Sequence, residues 1–88
     1  RIDDLVFGEV PARLARLLMR LYSEFPGTHA GAPAIDLALT QQDLADLIGA
    51  TRERTNNALS QFKRQGLIHY RRGAIELRDR RELGEIAG

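Results

Sequence analysis

Three polar side chains, Arg52, Glu53 and Asn57, fall on a stretch whose other residues repeat at helical spacing. A guanidinium near a helix N-terminus offers paired N–H donors that match guanine O6 and N7. Beside it, the Glu53 carboxylate accepts from an amino group such as cytosine N4, or orients the arginine. Asn57 lies one turn beyond Glu53 and suits adenine or a backbone oxygen. Thr51 precedes them as a helix N-cap, and its hydroxyl and the free N–H groups of the helix start suit a phosphate. Arg54, Lys63 and Arg64 on the same helix, with Arg71 and Arg72 in the hairpin beyond, are cations of the kind that contact phosphates. Thr40, Asn56 and Ser60 complete the candidate set of backbone contacts. The chemistry is that of reading a duplex, with bases met by Arg52, Glu53 and Asn57 and the sugar-phosphate backbone met by the rest.

Two elements must hold this set in place. Thr40 reads as the N-cap of a helix over roughly 41–48, with Asp43 completing an acidic variant of the capping box. That helix is expected to turn Leu44, Ala45, Leu47 and Ile48 inward, and Gly49 to end it in a left-handed conformation. Thr51 then opens a helix to about Gln65, with Thr55, Ala58, Leu59 and Phe62 as its inward stripe and Gly66 as its end. Two short helices meeting at Gly49-Ala50-Thr51, with the small Ala45 at the crossing, make a helix-turn-helix. Leu67–Arg71 and Ala74–Arg78 read as strands joined at Arg72-Gly73, a basic wing.

The flanking segments supply the core. Pro11 suits a first helical turn, and Leu14, Leu17, Leu18, Leu21, Tyr22 and Phe25 form an apolar stripe from Glu9 to Phe25. Arg13, Arg16 and Arg20 lie between them, towards the edge or solvent side. Residues 27–34 are expected to be a loop by their small residues, Gly and Pro, and 35–39 a short half-buried strand. The tail Arg80–Ile86 is expected to form one more helical turn, docked through Leu83 and Ile86. The fold class is therefore mainly α with a small β wing, a three-helix core plus short antiparallel strands in one domain spanning 1–88.

Composition sharpens and excludes. The net charge of +1 hides an uneven distribution: residues 1–50 carry −3, residues 51–81 carry +6 and residues 82–88 carry −2. A basic block between acidic flanks is the footprint of a polyanion-binding face. With no cysteine there is no disulfide, thiolate metal site or cysteine nucleophile. His29 and His69 lack a third ligand at metal-site spacing, so no metal or cofactor is expected in this chain. No catalytic Ser/His/Asp set, carboxylate pair or phosphate-binding glycine loop can be assembled, which argues against an enzyme. No apolar run approaches the roughly 20 residues that span a bilayer. The charged start at Arg1 carries no secretory leader, and the expected compartment is the cytoplasm. Lacking an initiator methionine, the chain reads as part of something longer.

The stretch Leu39–Leu59 (LTQQDLADLIGATRERTNNAL), continued by Phe62–Ile68 (FKRQGLI) and preceded by Val10–Leu18, resembles the C-terminal domain of the cyclic AMP receptor protein/Fnr family of bacterial transcription regulators. The core Gly49-Ala50-Thr51-Arg52-Glu53 is its most specific part. The resemblance implies that Arg52 and Glu53 read bases and that Asn57 holds the third reading position. Many members carry arginine there, so the base pair facing Asn57 is open. Thr55 replaces the usual aliphatic residue. The resemblance further implies an N-terminal effector domain binding a cyclic nucleotide or another signal. It also implies a dimerisation helix before Asp3, a homodimer, and contact with RNA polymerase near 27–34. The competing reading is a winged-helix protein-interaction module, which would leave the 52–60 face dispensable.

Overall fold

The first helix, α1 (Val10–Glu24), forms because its apolar residues recur every three or four positions. Val10, Leu14, Ala15, Leu17, Leu18 and Leu21 are buried along one side. Glu9 is its N-cap without a side-chain cap, and Pro11 falls in the first turn, where no N–H is needed. The computed structural model describes residues 9–71 and 73–88. The expected dimerisation helix before Asp3 and the predicted phosphate contact Arg72 lie outside the described residues. Of the expected stripe, Tyr22 is half-buried and Phe25 is exposed, because the helix stops before Phe25.

Residues expected to be a loop instead form a hairpin, β1 (Pro26–His29) and β2 (Ala32–Ile35), paired antiparallel from Pro26↔Ile35 to His29↔Ala32. Its tip bends through Ala30 and Gly31, at φ 53° and 83°. Gly27 is required by packing, since a Cβ there would lie 2.8 Å from Asp36 Cβ and 3.3 Å from Ala34 O. Pro33 is tolerated because β2 meets the next strand only through Ala34 and Ile35. The strand expected over 35–39 is a correction: only Ile35 belongs to one. Asp36 N donates to Phe25 O at 2.8 Å and closes the hairpin's base, after which Asp36, Leu37 and Ala38 are exposed.

Two helices follow, α2 (Gln41–Ile48) and α3 (Arg52–Arg64), then a second hairpin, β3 (Ile68–Arg71) and β4 (Ala74–Leu77). All four strands form one antiparallel sheet in the order β1-β2-β4-β3. Ile35, Ile68, Ile75 and Leu77 join α1 and the α3 stripe in a single core. The tail makes two turns of helix, α4 (Arg80–Ala87), capped by Asp79 Oδ1 accepting from Glu82 N at 3.0 Å. It packs on α1 through Leu83 and Ala87, while Ile86 is only half-buried. Four helices and a four-stranded sheet among the described residues thus fill out the expected three-helix core and wing.

Candidate nucleic-acid interface

The turn between α2 and α3 is fixed at both ends by short-range chemistry. Thr40 Oγ1 accepts from Asp43 N at 3.0 Å, and Asp43 Oδ2 accepts from Thr40 N at 2.9 Å, a complete capping box. Both Thr40 and Thr51 still hold a hydroxyl hydrogen to donate, since each oxygen acts in its cap as an acceptor. At the other end of α2, Gly49 adopts φ 67°, where an L side chain would be strained, and Ala50 N donates to Ala45 O at 3.0 Å. Thr51 caps α3 by accepting from Arg54 N at 3.1 Å. The fully buried Ala45 lets the two helices cross closely.

A long-range clasp adds to these caps. Arg13 Nη2 on α1 donates to Ile48 O at 2.6 Å and Gly49 O at 3.3 Å. It satisfies carbonyls at the C-terminus of α2 that the helix leaves unpaired, and its charge suits that end of the dipole. Arg13, expected at the edge or solvent side of α1, is half-buried at that edge and holds the turn. Leu47, expected inward, is 56% exposed. At about 100° per residue, Leu44, Ala45 and Ile48 centre the inward face and Leu47 falls well to one side. A groove of about 470 Å³ beside it is lined by Arg13, Arg16, Leu17, Arg20, Leu47 and Ile48 and contains none of the candidate site residues.

The third helix buries Thr55, Ala58, Leu59 and Phe62 and leaves Arg52, Glu53, Arg54, Asn56, Asn57, Lys63 and Arg64 exposed, with Ser60 half-buried. Thr55, the polar residue in an apolar place, is fully buried with Oγ1 donating to Thr51 O at 2.9 Å, so it carries no unmet hydrogen bond. Glu53 and Asn57 are one turn apart on one row, and Arg52 and Asn56 form the adjacent row. Glu53 in the first turn and Lys63 and Arg64 in the last suit the helix dipole. Among the described residues, no hydrogen bond or ion pair engages the side chains of Arg52, Glu53, Asn56 or Asn57. The expected orienting Arg52–Glu53 pair is therefore not formed, and these side chains are exposed.

The basic block divides in space. Arg78 pairs with Glu76 at 3.0 Å, Arg80 lies 5.2 Å over the Tyr22 ring, and Arg81 reaches Glu85 at 3.5 Å. Arg78 and Arg80 are thus engaged by the sheet and by α1, and Arg81 only by its own exposed helix, while Arg52, Lys63 and Arg64 of α3 have no such side-chain partner among the described residues. Arg71 is exposed at the end of β3, with Nε and Nη2 3.2 and 3.0 Å from His69 Nε2. Tyr70 ties the wing to the approach to α2, its hydroxyl donating to Leu39 O at 2.5 Å. Burial, and then the nearby Asp43 carboxylate, push the Tyr70 phenol above its ordinary range.

Sequence reasoning missed Glu76. It is 3% exposed, and Oε2 accepts from His29 Nδ1 at 2.6 Å. The His29 bond holds its carboxyl below the ordinary range against the opposing effect of burial, with Arg78 helping. Strand alternation put Glu76 beside apolar neighbours, but nothing local pointed to His29, 47 residues away. Among the described residues no three His, Asp or Glu are placed to hold a metal, and no helix is long and apolar enough to cross a membrane.

Known proteins resemble this chain in sequence and fold. The chain is 36% identical over 86 residues to the CRP-like cAMP-activated global transcriptional regulator of Mycobacterium tuberculosis, covering 98% of this chain and 38% of that protein. It is 32% identical to the transcriptional regulator SdrP of Thermus thermophilus, covering 99% and 43%. The CO-dependent transcription factor CooA from Carboxydothermus hydrogenoformans superposes with a TM-score of 0.83 at 25% identity, over 99% of this chain and 40% of that one. The chain thus spans less than half the length of these relatives. With residues 12–86 matching the Crp-like helix-turn-helix domain, the chain belongs to that family.

Proposed function

We propose that this chain is the DNA-reading domain of a bacterial transcription regulator and binds double-stranded DNA with sequence preference, inserting α3 in the major groove. The observation that carries the reading is the exposed, uncommitted polar face of α3, fixed by two N-caps and the Arg13 clasp. Arg52 and Glu53 read base edges at the start of α3, and Asn57 reads one turn further in. Thr40, Thr51, Arg54, Asn56, Ser60, Lys63, Arg64, Arg71 and Arg72 meet the sugar-phosphate backbone. The polar face argues against a protein-docking module, which would present apolar anchors there.

The relatives named as cAMP-activated or CO-dependent are whole regulators. By analogy we place a cyclic nucleotide or another effector on a separate N-terminal domain, and a homodimer across half-sites about 34–36 Å apart. RNA polymerase is the partner assigned to the β1–β2 hairpin. Selection from a randomised duplex pool tests the central claim. One enriched half-site is expected, with affinity falling steeply with salt as phosphate contacts displace counterions. Failure to enrich any duplex, with no binding at low salt, overturns it.

A further inference from the structure

We propose that His69 positions the wing cation Arg71 for its phosphate, and does so only as a neutral imidazole; the inference rests on the DNA-reading function proposed above. His69 and Arg71 are two residues apart on β3 and so share one face of the sheet. Two of the five guanidinium N–H donors, on Nε and Nη2, converge on the single acceptor His69 Nε2 at 3.2 and 3.0 Å. This contact fixes the plane of an exposed, otherwise free-swinging side chain, and the remaining donors are left for a ligand. Rotamer freedom surrendered to His69 need not be surrendered again when a phosphate binds.

The contact sets the protonation state. Arg71 only donates, so Nε2 must accept, which puts the imidazole proton on Nδ1. A second proton would turn Nε2 into a donor and set two cations face to face. The neighbouring groups are accounted for across the sheet. Glu76 is the register partner of His69 on β4, and its carboxylate attracts a charged His69, but its two oxygens are already engaged, one by His29 of β1 and the other by Arg78. Opposite Arg71 stands Ala74, and β2 offers this face only Ala32 and Ala34. No other acceptor for Arg71 is found among the described residues.

Two measurements on the same chain test it. Nitrogen-15 NMR of the free domain at pH 8 should show the Nδ1–H tautomer at His69 and a slowly exchanging Arg71 Nε–H. The tautomer and the protection of Arg71 Nε–H, measured against free arginine at the same pH, should be lost together on acidification, while His69→Gln, which keeps an acceptor, retains that protection at low pH. DNA anisotropy titrations at pH 8 should show His69→Ala weakening binding about threefold and Arg71→Ala about three- to tenfold. The double variant should be no weaker than Arg71→Ala alone, and His69→Gln should restore most of the loss.

An Nε2–H tautomer, an Arg71 Nε–H protection indifferent to pH, additive losses in the double variant, or an Arg71→Ala variant that binds like wild type each overturns the proposal. If wild type binds no duplex, the DNA-reading function fails instead, and the NMR arm still decides the His69–Arg71 contact.

Discussion

The third and fourth helices both begin with charged residues, Arg52-Glu53 in one and Arg80-Arg81-Glu82 in the other, yet the fold uses Arg52 and Arg80 oppositely. At α4 Arg80 lies over the Tyr22 ring and Arg16 of α1 reaches the last carbonyl, Ala87 O, at 2.6 Å, while Arg81 makes only an exposed pair with Glu85 one turn on. In α3 the face bearing Arg52, Glu53, Asn56 and Asn57 engages no other group among the described residues. Both helices are capped and both bury an apolar stripe. Charge that is spent on packing closes an end of the domain, whereas charge left open makes a surface that a polyanion can use. Net charge along the chain cannot tell the two apart, because the partner of each cation comes from elsewhere in the fold.

The largest effect expected sharpens the structural side of this contrast. Leu83 is the fully buried anchor of α4 against α1. Leu83→Ala should cost about 2–5 kcal/mol of stability, read from urea unfolding. Its DNA affinity should stay near wild type under conditions where the domain remains folded. A specific loss of DNA affinity in the folded variant would break the contrast by giving α4 a part in recognition.

Exchanging the test to arginines gives the next effect. Arg52→Ala should weaken binding to the selected duplex by about 1–3 kcal/mol, with a much smaller loss on random sequence. Arg80→Ala should change either affinity by less than about 0.5 kcal/mol. Equal losses for Arg52→Ala on both duplexes would show that it meets phosphate, not bases. A comparable loss for Arg80→Ala would show that the cation over Tyr22 is not committed after all.

Arg13 is the intermediate case, a cation whose commitment supports the open face. Arg13→Met keeps much of the stem but drops the bonds to Ile48 O and Gly49 O. A charge-assisted bond that is partly exposed contributes about 1–2 kcal/mol, so a stability loss of that size is expected by urea titration. DNA affinity should fall as well, since the α2–α3 turn loses its clasp. Full stability and full affinity in this variant would mean that the local caps suffice.

These variants also mark where the amino-acid pattern was readable. Thr40 with Asp43, Gly49 and Thr51 act on neighbours within a few residues, and each took the expected role. The polar face of α3 was legible for the same reason, since helical periodicity converts spacing directly into a face. The Arg13–Ile48, His29–Glu76 and Arg16–Ala87 contacts span 35, 47 and 71 residues, and no local rule pairs them. The β1–β2 hairpin was hidden by composition: Gly27, Pro26 and Pro33 look like loop residues, but Gly27 is demanded by the approach of Asp36 and the prolines sit where ladder bonds are sparse. Leu47 was misplaced because hydrophobicity alone does not say which of four apolar residues an eight-residue helix can bury.

The smallest effect lies where the wing joins the recognition unit. Tyr70→Phe removes the bond to Leu39 O and should cost about 0.5–1.5 kcal/mol. Its pH dependence follows from the raised phenol pKa. The folded state favours the neutral phenol, so it holds the proton at a pH where the unfolded chain releases it. This contribution is complete below the ordinary tyrosine value of about 10, and it is lost as pH climbs from there through the raised value in the folded state. Urea midpoints measured from pH 8 upwards should therefore fall more steeply in wild type than in Tyr70→Phe, the two curves converging at the alkaline end. Parallel curves would mean that the hydroxyl ionises alike in both states and does not tether the wing. A variant that kept its stability but lost DNA affinity would instead place Tyr70 with the open face, as a residue that orients the wing.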